Sequence, residues 1–489
     1  MAVFLSVGLI ANDFGTVQSP TGTMRLETTQ VGVNIEFPLK TTDYHLELSF
    51  DFKEGTHNGL AKITITNQSD LAVFEIPLLL YRLMNVSSVT DLSGRNIQFS
   101  QKVVQFIDFK KQQVNHIIVE QKILPSESKT IILNYDGFLL GYSETGMRYI
   151  TDRISSDFTL IREDAFAYPL LGKPSKAIFQ PIILSSNYNY TIEVTVPDSL
   201  VVANGGILES INANVDNQVT YRYRSKQPGW RIDIAIAPYK IIQNEQLNIY
   251  YYNDSVAAQN IVKYGRMAFS LYENLWGKLK DNNGITIIET ERGSGGQASE
   301  TTILLPSEAF SEDNYEYLFH EISHLWNVRI TEKQGLTPRW DEGLAQFCQY
   351  LLSEILEQKN NGLLKRTANW FLGWFKNALN ENEKLANTPM IEYGNEKLTG
   401  YSYYQPMLMF TVLYYWFGEE VFHNVIGGFY KEYYDTGAST KDFTEYWEKI
   451  TQSKHIQSFF DDWVYSTNYK NVISDKGSID EVINYYSQR

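Results

Sequence analysis

The sequence predicts a multidomain α+β protein: an N-terminal antiparallel β domain of saddle or sandwich form, followed by a mainly α-helical domain. Three observations predict it. Short runs from about 40 to 250 alternate apolar and polar residues, the period of a half-buried strand. Near Asp254 the pattern changes to the 3.6-residue period of helices. The length of 489 residues exceeds what one ordinary core supports.

In the β region, Leu46, Leu48, Phe50 and Phe52 alternate, and Ile63 and Ile65 continue the pattern. Ile192, Val194 and Val196 alternate before Pro197, as do Ile232, Ile234 and Ile236 before Pro238. Gly, Asn, Asp and Ser clusters separate these runs at hairpin spacing. The boundary is expected at 245 to 250, dividing the chain into 1–248 and 249–489. Beyond it, Ile261, Tyr264, Met267 and Leu271 predict one face of a helix. Ile285, Ile287 and Ile288 predict a strand, Gly293-Ser294-Gly295-Gly296 a turn, and Thr302 to Pro306 another strand. From Ser311 onward the periodicity is helical, including Tyr403 to Phe417 and Phe443 to Ile450.

The chemistry concentrates in His320-Glu321-Ile322-Ser323-His324. His320 and His324 stand one helical turn apart, so both imidazoles leave one face of a helix and suit one zinc ion. Glu321 can serve as general base on a water bound to that ion. Asp313 and Glu316 have capping-box spacing. Leu318, Ile322 and Leu325 form a core-facing stripe that leaves the two His on another face. Catalytic zinc usually takes three protein ligands, and Glu342 in Trp340-Asp341-Glu342-Gly343-Leu344-Ala345 supplies the third, with 17 residues between it and His324. The intervening chain holds the rest of the first helix, a loop with Gly335 and Pro338, and the start of a second helix. Leu344, Phe347, Cys348, Leu351 and Leu352 give that second helix an apolar face. Asp341 is either a partner for a ligand imidazole or a helix N-cap. Arg329 and Arg339 are either substrate-carboxylate ligands or solvated surface groups. His45, His57, His116, His423 and His455 lack ligand spacing and are read as structural.

Composition narrows the partners. A net charge of −15 argues against nucleic acid. The 33 Tyr fit strands and core rims. No run approaches the ~18 apolar residues of a membrane span. Cys348 is the only cysteine, which excludes an intrachain disulfide, and its place on an apolar stripe reads as a buried thiol. Met1 to Ala11 is apolar but short for a signal sequence and lacks a basic start, so the expectation leans to the cytoplasm and leaves export open.

The order of a β-rich N-terminal part, a glycine-rich strand segment, HExxH and W-x-E-G-x-A resembles the M1 aminopeptidase clan of zinc metallopeptidases, the gluzincins. That family spaces HExxH and Glu by 18 residues, within W-L-N-E-G-F-A; here the spacer is one residue shorter. His324-Leu325-Trp326-Asn327-Val328 is similar to the H-x-W-N-V of the related glycyl aminopeptidases. The resemblance is strongest over 257–465 and weaker over 40–250.

It implies a thermolysin-like catalytic domain, one Zn2+ per chain held by His320, His324 and Glu342, and peptide substrates. It implies Glu321 as base and a tyrosine from the family's Tyr-x-Lys-Gly as oxyanion donor. Tyr403-Tyr404-Gln405-Pro406 fills that place: Tyr403 matches best by its distance to Gly418, Tyr401 and Tyr404 are rivals, and the Lys-Gly part is absent. The family's Gly-x-Met-Glu-Asn strand aligns the substrate backbone, and its Glu grips the free α-amine. Gly295-Gly296-Gln297-Ala298-Ser299 stands there, with Ala298 in place of the Glu. Glu300 alternates to the same strand face and is expected to bind substrate with Gly295, Gly296 and Gln297; Glu163, in Arg162-Glu163-Asp164-Ala165-Phe166, is another source of charge. Phe459-Phe460-Asp461-Asp462-Trp463 resembles the end of the catalytic domain, so the large C-terminal helical domain of many members is expected to be absent. The implied activity is aminopeptidase, with a zinc endopeptidase and a non-catalytic interaction protein of the same fold as alternatives.

Overall fold

The computed structural model describes residues 37–488 apart from 142–149, 185, 245, 281–283, 312–314, 333–338 and 357–361. The Met1 to Ala11 segment, Asp313, Gly335 and Pro338 therefore lie outside the described residues. Backbone contacts group the chain into two units, one ending at Trp326 and the other beginning at Asn327.

The first unit is built on a seven-stranded sheet. Its order is Ile207–Ala213, Gln218–Arg224, Asn189–Pro197, Leu39–Asp51, Thr56–Asn67, Ser128–Phe138 and Met84–Asp91. Neighbours are antiparallel except Leu39–Asp51 beside Asn189–Pro197. The alternation works as expected here. Leu46, Leu48, Ile63, Ile65, Ile192, Val194 and Val196 are buried, and the residues between them face outward to varying degrees. A four-stranded antiparallel sheet, Phe99–Gln105, Gln113–Ile123, Val73–Tyr81 and Leu170–Leu171, contributes Ile76, Leu78 and Val119 to the same core. Two sheets sharing one apolar interior is the sandwich-like form that the strand pattern predicts. Ile234–Ala237 differs: Ala235 and Ala237 are as buried as Ile234 and Ile236, because this strand lies between Val201–Ala203 and Thr159–Ile161 with both faces covered.

A five-stranded sheet then crosses the expected boundary. Its order is Lys240–Ile242, Leu247–Tyr251, Ile285–Thr290, Thr302–Pro306 and Gln297–Ala298. Leu247–Tyr251 pairs in parallel with Ile285–Thr290, which pairs in parallel with Thr302–Pro306. Residues 248 and 249 lie inside a strand of this sheet, so its ladder ties 240–306 together and the contact division falls after Trp326 instead. The two inner parallel strands are buried on both faces. The helix Ser255–Trp276 connects the first parallel pair; Asp254 caps it by accepting from the Val256 and Ala257 amides. Its buried face is Ala258, Ile261, Gly265, Ala268, Phe269, Tyr272 and Trp276. Of the expected face only Ile261 is buried: Met267 is 36% exposed, because the helix turns Ala258, Gly265, Ala268, Phe269, Tyr272 and Trp276 inward instead.

The second unit is helical. Trp340–Leu356 packs with Leu363–Glu381 and Gln405–Phe417. It is buried nearly all round, including Gly343, Gln346, Cys348 and Ser353, so it is a central helix and not the one-faced surface helix its spacing suggests. Thr440–Thr451 starts at a capping box formed by Ser439 and Asp442.

Candidate metal centre

Glu316–Ser323 is a short helix with Leu318 and Ile322 fully buried. It begins after Tyr315, which gives no side-chain cap. It ends one residue before His324, and His324–Trp326 continue as a tighter 3-10 turn. The turn keeps the two imidazoles together, with ring centroids 4.9 Å apart and planes at 81°. Ser323 donates its hydroxyl to the His320 carbonyl at 2.7 Å, helping to close the helix end. His320 and Glu321 are buried and His324 half-buried.

Candidate ligand atoms of His320, His324 and Glu342 all lie within 4.8 Å of one another. Two imidazole nitrogens and a carboxylate oxygen form a donor set suited to zinc, so the residues fit the ion. No other group of three or more such ligands is found among the described residues. Glu342 sits in the first turn of Trp340–Leu356, as the sequence spacing predicts, and the helix begins at Trp340, which removes Asp341 from the N-cap position. Arg339 forms an ion pair with Glu342, an assignment neither of the two sequence readings of that arginine contained. Arg329 donates to the Thr436 carbonyl at 2.8 Å. Next to Glu342, a Cβ at Gly343 would lie 2.9 Å from the Met407 nitrogen. Glycine there lets Gln405–Phe417 approach the helix that presents Glu342.

The three tyrosines separate. Tyr403 ends the turn Thr399–Tyr403, with the Arg339 guanidinium 5.9 Å from its ring centroid. Tyr401 and Tyr404 pack on Trp374, and the Tyr401 hydroxyl accepts from Asn382 at 3.4 Å. Burial pushes the Tyr404 hydroxyl up to about 12. Tyr403 is thus joined to Glu342 through Arg339, while its two rivals belong to an aromatic cluster.

On the other side of the motif, Gly296 faces the Glu321 carboxylate, and a Cβ there would fall 2.7 Å from Glu321 Cδ. Gly295 has φ +73°, a conformation that favours glycine. Gln297–Ala298 is the edge strand of the five-stranded sheet, paired with Thr302–Pro306 on one side only among the described residues. Glu300 does not continue this strand as expected. The strand ends at Ala298, the Ser299 amide bonds the Thr302 carbonyl, and Glu300 turns toward Gly229. The residue as a whole is half-buried, but its carboxyl sits inside, and burial pushes it up to about 7.

The residues around Gln297 form a buried charged cluster that the sequence signalled only through Arg162-Glu163-Asp164. Arg162 donates to both oxygens of Asp152 at 2.8 Å. Arg231 donates to Asp233 at 2.8 and 2.6 Å and to Asp164 at 2.9 Å. Both arginines also donate to Gln297 Oε1, at 3.0 and 3.2 Å, and Gln297 Nε2 donates to Asp164 at 3.0 Å. Burial raises the Asp164 carboxyl, but Arg231 and Arg162 outweigh it and hold the group below its ordinary value. Glu163 goes the other way. Burial, with Asp164 beside it, pushes its carboxyl up to about 8, and its Oε2 accepts no hydrogen bond among the described residues.

No protein-family profile and no curated protein matches the chain. Solved structures do. The M1 zinc metallopeptidase of Deinococcus radiodurans, as a mutant bound to a Tyr-Ser-Ala substrate, superposes with a TM-score of 0.65 at 15% identity, covering 88% of this chain and 94% of that one. Another structure of the M1 zinc metallopeptidase from Deinococcus radiodurans gives 0.61 at 15% identity, covering 86% and 92%. A two-domain M1 zinc metallopeptidase mutant bound to L-tryptophan gives 0.61 at 15% identity, covering 88% and 94%. Over most of its length this chain therefore has the fold of the two-domain M1 zinc metallopeptidases.

Proposed function

We propose that the chain is a zinc-dependent metallopeptidase of aminopeptidase type, removing N-terminal residues from peptides, with the chemistry assigned to 249–489. The observation that carries this reading is the convergence of His320, His324 and Glu342 beside a buried Glu321. A solved protein of the same fold was captured with a tripeptide substrate, which supports peptides as partners.

Zinc held by the three ligands would supply Lewis acidity, bringing the pKa of a water from nearly 16 toward ~7 and polarising the scissile carbonyl. Glu321 would take the proton of the attacking water on a carboxylate oxygen and deliver it to the leaving amine. The Tyr403 hydroxyl would donate to the developing oxyanion, a contact commonly worth ~3 kcal/mol in the transition state. The segment Gly295 to Ala298 would align the peptide backbone, since a strand edge accepts an added strand. Glu300, or Glu163 instead of it, would supply the carboxyl for a positive group on the substrate. An ammonium beside such a carboxyl would offset the burial that raises it. Ala298, where the family has Glu, favours a second reading, a zinc endopeptidase.

A peptide-library digest read by mass spectrometry, with and without chelator, tests the assignment. Glu321→Gln should keep stoichiometric zinc and lose at least about 100-fold in turnover. Parent-level cleavage by that variant would remove the proposed base. Preference for free over N-acetylated peptides separates the first reading from the second.

A further inference from the structure

The charged groups around Gln297 form one hydrogen-bonded network. Buried ion pairs contribute little net stability, because desolvation offsets their attraction. What they supply is fixed geometry, provided each member is hydrogen-bonded. Here Arg162 and Arg231, both almost without surface exposure, are anchored on Asp152 and Asp233. Each directs a further N–H to the same oxygen, Gln297 Oε1. Asp164 takes the amide hydrogen from the other end of that side chain. A single side chain is thus held by three charged groups from 162–164 and 231.

Gln297 occupies the edge strand directly after Gly296, the residue set against the Glu321 carboxylate. The strand is only two residues long and its ladder runs to one neighbour, so backbone pairing alone holds it weakly. We propose that Gln297 is a positioning residue: the Arg162–Asp164–Arg231 cluster grips its amide and so holds the Gly295–Ala298 segment at the distance from Glu321 that a bound peptide needs. The proposal rests on the peptidase reading for its kinetic consequence, but the clamp itself is a structural property.

Three variants test it: Gln297→Met, Gln297→Glu, and Gln297→Glu combined with Asp164→Asn. The methionine keeps the length and removes every hydrogen bond. The glutamate keeps an acceptor for both arginines but faces Asp164. The double variant restores a donor at 164 and leaves the net charge of the cluster unchanged. Zinc content, kcat and KM on a peptide, and amide hydrogen exchange over 294–299 are measured on each folded protein. With zinc content unchanged, kcat/KM should fall about 10- to 100-fold in Gln297→Met and in Gln297→Glu, and return to within about threefold of the parent in the double variant. Exchange over 294–299 should accelerate in the single variants and slow again in the double. Parent-like exchange in Gln297→Met, or no recovery in the double variant, overturns the proposal. If the zinc-loaded parent cleaves no peptide, the peptidase reading fails by itself and the exchange measurement alone judges the clamp.

Discussion

Gly296 is packed against Glu321 so closely that its missing side chain defines the space the carboxylate occupies. Its φ is not in the left-handed region, so alanine is permitted by the backbone and meets Glu321, whose atoms are the three nearest. Gly296→Ala should therefore displace the carboxylate or the strand. A displacement near 1 Å at a reacting group can cost about 100-fold in rate. We expect turnover to fall by about that factor while zinc content and melting temperature stay near parent values. Unchanged kcat would show that the close approach has no catalytic consequence.

The separation of the tyrosines gives a second test. Tyr403→Phe should lower kcat/KM by about 100-fold, the equivalent of the ~3 kcal/mol typical of one oxyanion donor. Tyr401→Phe and Tyr404→Phe should change it little, because those rings belong to the Trp374 cluster. A large loss in Tyr404→Phe with none in Tyr403→Phe would reassign the donor.

Glu163 makes stability depend on pH. Its folded-state carboxyl is raised to about 8 from an ordinary 4.5, so the folded protein binds the proton more tightly than the unfolded chain. Stability is unaffected below pH 4.5, falls as pH rises through the window from 4.5 to 8, and stays lowered above it. At ~1.36 kcal/mol per unit the full cost is on the order of 5 kcal/mol. Glu163→Gln should match the parent's melting temperature near pH 5 and exceed it near pH 9. Equal melting temperatures at both pH values would mean that the carboxyl titrates normally.

Metal removal should be visible without any substrate. A ligand bound at 1,000 times its dissociation constant stabilises a fold by about 4 kcal/mol. Chelation should lower the melting temperature, and one equivalent of zinc should restore it in the parent and not in His320→Ala. A melting curve indifferent to chelator and zinc would argue against a site at His320, His324 and Glu342.

The residues of the centre were legible in the sequence because their spacing is local. His320 and His324 are related by one helical turn, Glu342 by its place at the next helix start, and the strands by a period of two. Those relations depend on backbone geometry alone. Tertiary structure decided what local periodicity does not encode. The turn after Ala298 sent Glu300 away from the strand face assigned to it. Phe269, Tyr272 and Trp276, with Ala258, Gly265 and Ala268, and not Tyr264 and Met267, lie on the buried face of Ser255–Trp276. Parallel pairing of Leu247–Tyr251 with Ile285–Thr290 bound together segments that composition had divided. The cluster around Gln297 joins residues of 162–164, 231 and 297 by hydrogen bonds that span 66 to 135 positions of the chain. Charge pairing at that separation leaves no periodic trace, since it is selected by the packed fold and not by the path of the chain.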